Sequence, residues 1–164
     1  MRLRAALVVV LLVALFFAVP ALARPSDPHP LPFKAHVTGI GGPAPSGPPP
    51  WEQDVFGSGV SSHMGLVSVY QHHWVAPTAD SNILNFYDGT AVWTAANGDV
   101  LFGTYAGYLQ FNPAGYFEIH GQFVWIGGTG RFQGATGAGL ASGAQYLDGT
   151  FDLILGGTIT YQIR

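Results

Sequence analysis

Apolar and polar side chains alternate with a period of two along most of the chain. Aromatic and β-branched residues recur between Gly, Thr and Ser, and turn residues separate the alternating runs. No segment after residue 23 has the 3.6-residue period of an amphipathic helix. The chain is therefore predicted to be all-β. The predicted strands lie near 33–40, 56–62, 65–75, 83–87, 90–96, 99–110, 116–126, 138–147 and 150–163.

Three dipeptides indicate how the predicted strands turn or bend. Asn97-Gly98 and Asp148-Gly149 each separate two strands. Both predict hairpins with type I′ turns, because these residues tolerate the positive φ angles that such turns require. Gly156-Gly157 interrupts the last strand and predicts a bulge or a sharp bend.

An all-β chain must protect its edge strands, and closing the sheet removes the edges altogether. The sequence favours a single closed antiparallel barrel of about eight strands, because glycines within strands permit the bends of a small barrel. A two-layer sandwich is the alternative. The barrel domain is placed at 56–164. An extended segment, 24–55, precedes it and includes the Pro/Gly-rich loop 41–50, which reads GGPAPSGPPP.

The N-terminus has the pattern of a secretory signal peptide. Arg2 and Arg4 precede an apolar run of about 15 residues, and Pro20 and the A-x-A site at 21–23 follow it. A permanent membrane anchor is the alternative, but the run is shorter than the ~20 residues that a spanning helix needs. We expect cleavage after Ala23, which would leave a soluble protein that is secreted or otherwise extracytoplasmic.

The charge and cysteine content of the mature chain exclude several classes of function. Four cations stand against nine acids after residue 23, a net charge of −5 with neutral histidines. Four scattered cations cannot form a basic face, so nucleic acid is not an expected partner. The chain has no cysteine. Disulfides, thiolate metal sites and cysteine nucleophiles are therefore excluded.

Histidines and acids were considered as candidate metal ligands and catalytic groups. The six histidines are His29, His36, His63, His72, His73 and His120. His72 and His73 are adjacent on one strand and face opposite ways, so we expect no metal site and no cofactor. Glu118 and His120 share one strand face at i, i+2. They are the candidate catalytic pair inside the barrel or at its mouth.

The segment 127–139 reads GGTGRFQGATGAG and is too rich in glycine for a straight strand. It predicts a tight corner in which Phe132 is buried and Arg131 meets an acid or carbonyl groups. The segment resembles the GGTGRF-x-x-A-x-G signature of dirigent proteins and related secreted bacterial barrels, whose fold is similar to that of allene oxide cyclase. The stretches 94–105 and 148–151 also resemble the bacterial group.

This resemblance covers roughly residues 56–163. It implies an eight-stranded antiparallel barrel with an apolar cavity, and often a homo-oligomer. Dirigent proteins steer radical coupling and the cyclase guides closure of a ring from an epoxide. No functional residue of either can be placed on this chain.

The aromatic residues suggest what the barrel holds. Eight strands enclose either packed side chains or one small ligand. The candidate ligand-binding residues are Tyr105, Phe123 and Trp125. The preferred hypothesis is a barrel without turnover that binds a small apolar or aromatic ligand or serves as a structural module. The alternatives are an isomerase-like or dirigent-like enzyme and an extracytoplasmic protein–protein interaction module, for which exposed Trp51 or Trp74 would be a sign.

Overall fold

The computed structural model describes residues 29–41 and 46–162, and this part of the chain is almost entirely β-structure. A single 3-10 turn within it, Gly130–Phe132, follows the sixth strand. The described residues form eight strands: β1 Leu31–Gly41, β2 Trp51–Ser61, β3 Gly65–Pro77, β4 Ile83–Ala95, β5 Val100–Asn112, β6 Tyr116–Gly128, β7 Gly137–Tyr146 and β8 Thr150–Ile159.

Strand β1 pairs with both β2 and β8, and this double pairing closes the sheet into a barrel. Val37 lies opposite Gly59 on one side and opposite Leu153 on the other. All neighbouring strands are antiparallel and consecutive in the chain. The prediction of one closed antiparallel barrel is confirmed, and the two-layer sandwich is excluded.

Alternation along each strand separates the inside of the barrel from the outside. On β1, Phe33, Ala35 and Val37 are buried, whereas Lys34 and His36 between them are exposed. Successive side chains of a strand point to opposite faces, so every second residue enters the interior. The same alternation on the other strands builds one continuous apolar interior.

Two predicted strands, 83–87 and 90–96, are one strand in the structure. Strand β4 runs from Ile83 to Ala95, and its register against β5 shifts between Phe86 and Gly89. Asp88-Gly89 has the composition of a turn, and Asp88 has a φ of 52° at this irregularity. A local bulge therefore produces the turn signal without ending the strand.

The barrel also starts earlier than predicted. Leu31–Gly41 is a full wall strand rather than part of a preceding extended segment, and β2 begins at Trp51 rather than near residue 56. At the other end, Gly156 and Gly157 keep a regular register with β1, so the predicted bulge is absent. Gly157 instead lets β8 approach the backbone of Ala138 more closely than a Cβ would allow.

The two predicted hairpins exist, but neither turn is of type I′. Gly98 and Gly149 have φ angles of 87° and 86°, whereas Asn97 and Asp148 do not have positive φ. The amide of Gly98 donates to the carbonyl of Ala95, three residues back. This is a three-residue connection in which only the glycine adopts the left-handed conformation.

The two ends of the barrel differ. The closed end carries the β2–β3 and β4–β5 turns and the segment between β6 and β7. Phe132 and Ala135 of that segment are fully buried there, and Met64 of the β2–β3 turn is nearly so. Arg131 Nε lies 3.2 Å from Asp99 Oδ2. The predicted corner, with a buried Phe132 and an acid for Arg131, is confirmed.

The open end carries the β3–β4, β5–β6 and β7–β8 turns and the Pro/Gly-rich connection between β1 and β2. The predicted signal peptide, 1–23, lies outside the described residues. Within the described part, no helix is long and apolar enough to cross a membrane.

Candidate functional site

A cavity of about 650 Å³ occupies the half of the barrel nearest the open end. It falls within the range of small-molecule sites, which are mostly apolar with a few placed polar groups. Its deepest part is walled by Trp93, Trp125, Phe123 and Leu155, and its rim is formed by Trp51, Tyr146, Leu147 and Asp148. The barrel therefore holds space for a ligand rather than a fully packed interior.

Inward-facing glycines leave room for the large aromatic rings of the cavity wall. Gly103 lies opposite Trp125 on the neighbouring strand, and a Cβ at Gly103 would be 2.8 Å from two carbons of the indole ring. A Cβ at Gly89 would be 2.8 Å from ring carbons of Tyr105. The glycines of β4 and β5 thus allow these rings to lie across the wall, which fixes the shape of the cavity.

His73 and Tyr105 form a polar pair within this apolar wall. His73 Nδ1 lies 2.7 Å from Tyr105 Oη, so the two side chains share a hydrogen bond. Phe86 packs beside both rings, with its centroid 5.6 Å from His73 and 5.9 Å from Tyr105. The pair is held by β3 and β5, on either side of β4.

Burial keeps both members of this pair neutral. Loss of hydration, together with the smaller effect of the neighbouring His72, lowers the pKa of His73 to about 4. Burial likewise raises the pKa of Tyr105 well above its usual range. At neutral pH the pair is therefore an uncharged imidazole bonded to an uncharged phenol.

The other polar side chains of the cavity wall are also uncharged. Gln53, Gln71 and Gln145 line it from β2, β3 and β7. Asp148 is the acidic lining residue, and it lies exposed in the β7–β8 turn at the rim. There its pKa is lowered by hydrogen bonds from the hydroxyl and amide of Thr150.

All three predicted ligand-binding residues line the cavity. Phe123 and Trp125 are buried side by side on β6, with ring centroids 4.9 Å apart, and Tyr105 contributes the hydroxyl of the polar pair. Their position follows from alternation, because 105, 123 and 125 all fall on inward-facing positions of their strands.

Glu118 and His120 are not in the cavity. They lie on the outer face of β6, on either side of the inward-facing Ile119, and their side chains are about 40% exposed. His120 stacks on Tyr108 at a centroid distance of 4.7 Å. Glu118 accepts a hydrogen bond from Asn112. The predicted sharing of one strand face is correct, but that face is the outside of the barrel.

His72 and His73 face opposite sides of the wall, as expected from their adjacency. His72 lies outside, with Nδ1 3.0 Å from Asp54 Oδ1 and Nε2 3.4 Å from Glu52 Oε1. Tyr70 also donates to Asp54, and these hydrogen bonds lower the pKa of that carboxyl group. Within the described residues, no group of three or more His, Asp and Glu side chains is arranged to hold a metal ion.

His73 was not among the site residues predicted from the sequence, although the alternation along its strand indicated its position. Val67, Val69 and Val75 are the apolar inward positions of β3, and the same period of two passes through Gln71 and His73. A polar residue at an inward position of an otherwise apolar series indicates a polar group within the interior. Continuing the period through the histidine would have located it.

Comparisons of the chain with protein-family models, with curated proteins and with solved structures found no match.

Proposed function

We propose that this chain is an exported barrel protein that binds a small apolar or aromatic molecule in the cavity, without converting it. The observation that carries this proposal is a cavity of about 650 Å³ walled by aromatic rings and open at one end of a closed barrel. Removing an apolar ligand from water gives about 25 cal/mol per Å² of buried surface. A cavity of this size and lining supports such binding.

The binding can be tested with N-phenyl-1-naphthylamine, an uncharged probe that fluoresces strongly in apolar surroundings. We expect saturable binding with one probe per barrel. In Val55→Trp the new ring occupies part of the cavity and narrows the space for the probe, because Val55 faces inward and lines it. We expect this variant to lose at least about tenfold in affinity, a change of about 1.4 kcal/mol.

Val60→Trp is the matched control. Val60 lies on the same strand as Val55 but faces outward and is 52% exposed. Its affinity for the probe should stay within about twofold of the parent protein. Absence of saturable binding, or equal affinity in the two variants, would overturn the proposal. In a separate experiment, native mass spectrometry of the exported protein shows whether a natural ligand is retained and how many subunits assemble.

The export part of the proposal rests on the sequence of the first 23 residues, which lie outside the described part. N-terminal sequencing of protein recovered from outside the cytoplasm should begin at Arg24. A mature chain that retains the apolar run would instead indicate an anchor.

An enzyme that steers a reactive intermediate is the second candidate, and the His73–Tyr105 pair is the observation that favours it. Groups with strongly shifted pKa values are typical of catalytic sites. However, an imidazole with a pKa of about 4 is a weak base at neutral pH. The pair is therefore better suited to orient a ligand by hydrogen bonding than to transfer protons.

The interaction-module alternative was tied to exposed Trp51 or Trp74. Both side chains are half-buried, and Trp51 lines the cavity. Trp51 therefore supports a ligand site, and neither tryptophan has the exposure that a docking surface would need.

A further inference from the structure

Among the described residues, no lysine or arginine lines the cavity. Lys34 and Arg131 are the only lysine or arginine in the described part of the chain, and neither belongs to the cavity wall. Residues 42–45, which follow β1 in the sequence, carry no charge. An anion entering the cavity would lose hydration without meeting a counter-charge, which is strongly unfavourable.

The two ends of the barrel differ in charge. Lys34 and Arg131 both lie towards the closed end, beside the β2–β3 turn and in the β6–β7 segment. At the open end, Asp80 and Asp148 lie in turns and Glu52 near the start of β2. The entrance therefore presents a negative potential that repels anions.

A cation is also poorly matched to the interior. Asp148 sits at the exposed rim, and the other polar lining residues, among them Gln53, Gln71, Gln145, His73 and Tyr105, carry no carboxylate. A buried ammonium group needs a carboxylate partner or an equivalent set of acceptors. The described wall has no carboxylate below the rim, so the interior favours an uncharged molecule.

The His73–Tyr105 pair leaves one hydrogen-bond donor unused. A neutral imidazole and a phenol together carry two N–H or O–H protons, and one of these is shared between Nδ1 and Oη. The other is either the N–H at His73 Nε2 or the Tyr105 O–H, depending on the tautomer. No described residue accepts it. A ligand oxygen beside the pair would satisfy this donor, which is worth more within an apolar wall than in water.

We propose that the cavity selects an uncharged, largely apolar molecule that carries one carbonyl or hydroxyl oxygen, and that the His73–Tyr105 pair holds this oxygen. This inference rests on the proposed function. It combines a wall without cations, an acidic entrance and one unused donor at a fixed position.

Three naphthalenes of similar size test the inference: 2-acetylnaphthalene, 2-naphthoate and 2-ethylnaphthalene. Each is titrated against bound N-phenyl-1-naphthylamine at pH 7.5. We expect the ketone to displace the probe at a concentration at least about tenfold lower than the carboxylate. It should bind no more weakly than the ethyl compound, because the hydrogen bond to the pair offsets the hydration that the ketone oxygen loses on entry.

Two variants assign the preference to the pair. Tyr105→Phe and His73→Gln should each reduce the preference for the ketone over 2-ethylnaphthalene, while the binding of the ethyl compound changes less. His120→Gln, on the outer face, is the control and should leave both affinities unchanged. Because the comparison of ketone with carboxylate uses the parent protein, it does not depend on how either variant folds.

The outcomes separate this inference from the proposed function. If 2-naphthoate displaces the probe as well as the ketone does, the charge selection is wrong although the cavity binds ligands. If Tyr105→Phe and His73→Gln leave the ratio of the ketone affinity to the ethyl-compound affinity unchanged, the pair does not hold an oxygen. If no probe binds saturably, the proposed function itself fails.

Discussion

His72 and His73 are neighbours in the chain, yet they lie on opposite sides of the barrel wall. His72 meets the carboxylates of Glu52 and Asp54 outside, whereas His73 bonds to Tyr105 inside. Two imidazole side chains that are adjacent in the sequence therefore lie in different environments, because successive residues of a strand point to opposite faces. Burial lowers the pKa of His73, so acid should act on the stability of the barrel through this histidine.

We expect the barrel to lose stability as the pH falls from about 6.5 to 4, and His73 to account for much of this loss. Its pKa is about 4 in the folded barrel, against an ordinary value of 6.5. Between these values the unfolded chain binds more protons, so the free energy of unfolding falls as the pH falls. The shift corresponds to about 3 kcal/mol once both states are protonated. Urea unfolding at pH 7 and at pH 4 measures it.

His73→Gln and His72→Gln separate the two sides of the wall. Replacing His73 should flatten the dependence of stability on pH across this window. His72→Gln changes the neighbouring histidine on the outer face and serves as the comparison variant. Equal pH dependence in the parent protein and in His73→Gln would show that His73 is not the titrating group.

Tyr105→Phe should lower the free energy of unfolding by about 1–3 kcal/mol at pH 7, because His73 Nδ1 loses its partner within an apolar wall. Tyr108→Phe on the same strand is a matched control, since Tyr108 lies on the outer face and is 38% exposed. Its change should stay within about 0.5 kcal/mol. Similar losses in both variants would contradict a special role for the buried bond.

Gly103→Ala should destabilise the barrel by about 1–3 kcal/mol, because the added methyl group would meet the rigid indole of Trp125. Displacement of the indole should also shift the tryptophan emission spectrum. Gly156→Ala is the matched control, since its added Cβ would have no atom within 4 Å and its φ is not positive. It should be neutral or stabilise by up to about 1 kcal/mol. The idea fails if Gly103→Ala is as stable as Gly156→Ala.

The sequence predicted those features that depend on alternation and on burial of the largest side chains. The all-β class, barrel closure and the inward positions of Tyr105, Phe123 and Trp125 follow from period and composition. The burial of Phe132 and the pairing of Arg131 with Asp99 follow from the scarcity of cations and from a glycine-rich corner.

Other features depend on geometry that alternation does not encode. Asp88-Gly89 has the composition of a turn, yet pairing with β3 and β5 holds it within one strand as a bulge. Glu118 and His120 share a face, but which face is inward depends on the apolar set 117, 119 and 123 alongside them. The register of each strand therefore determines which polar residues face the cavity. Polar residues taken without their apolar neighbours do not show which face points inward.

Phe132→Ala should cost about 3–5 kcal/mol of unfolding free energy, the largest loss among these variants. Phe132 is fully buried at the closed end, where its ring meets Tyr161 at 5.2 Å and the guanidinium of Arg131 at 5.0 Å. Phe56→Ala is the matched control. Phe56 is 56% exposed on the outer face, where it contacts Tyr70, and its loss should cost less than about 1 kcal/mol. Chemical unfolding of both variants measures the difference. Comparable losses would contradict the role of Phe132 as the buried anchor of the closed end.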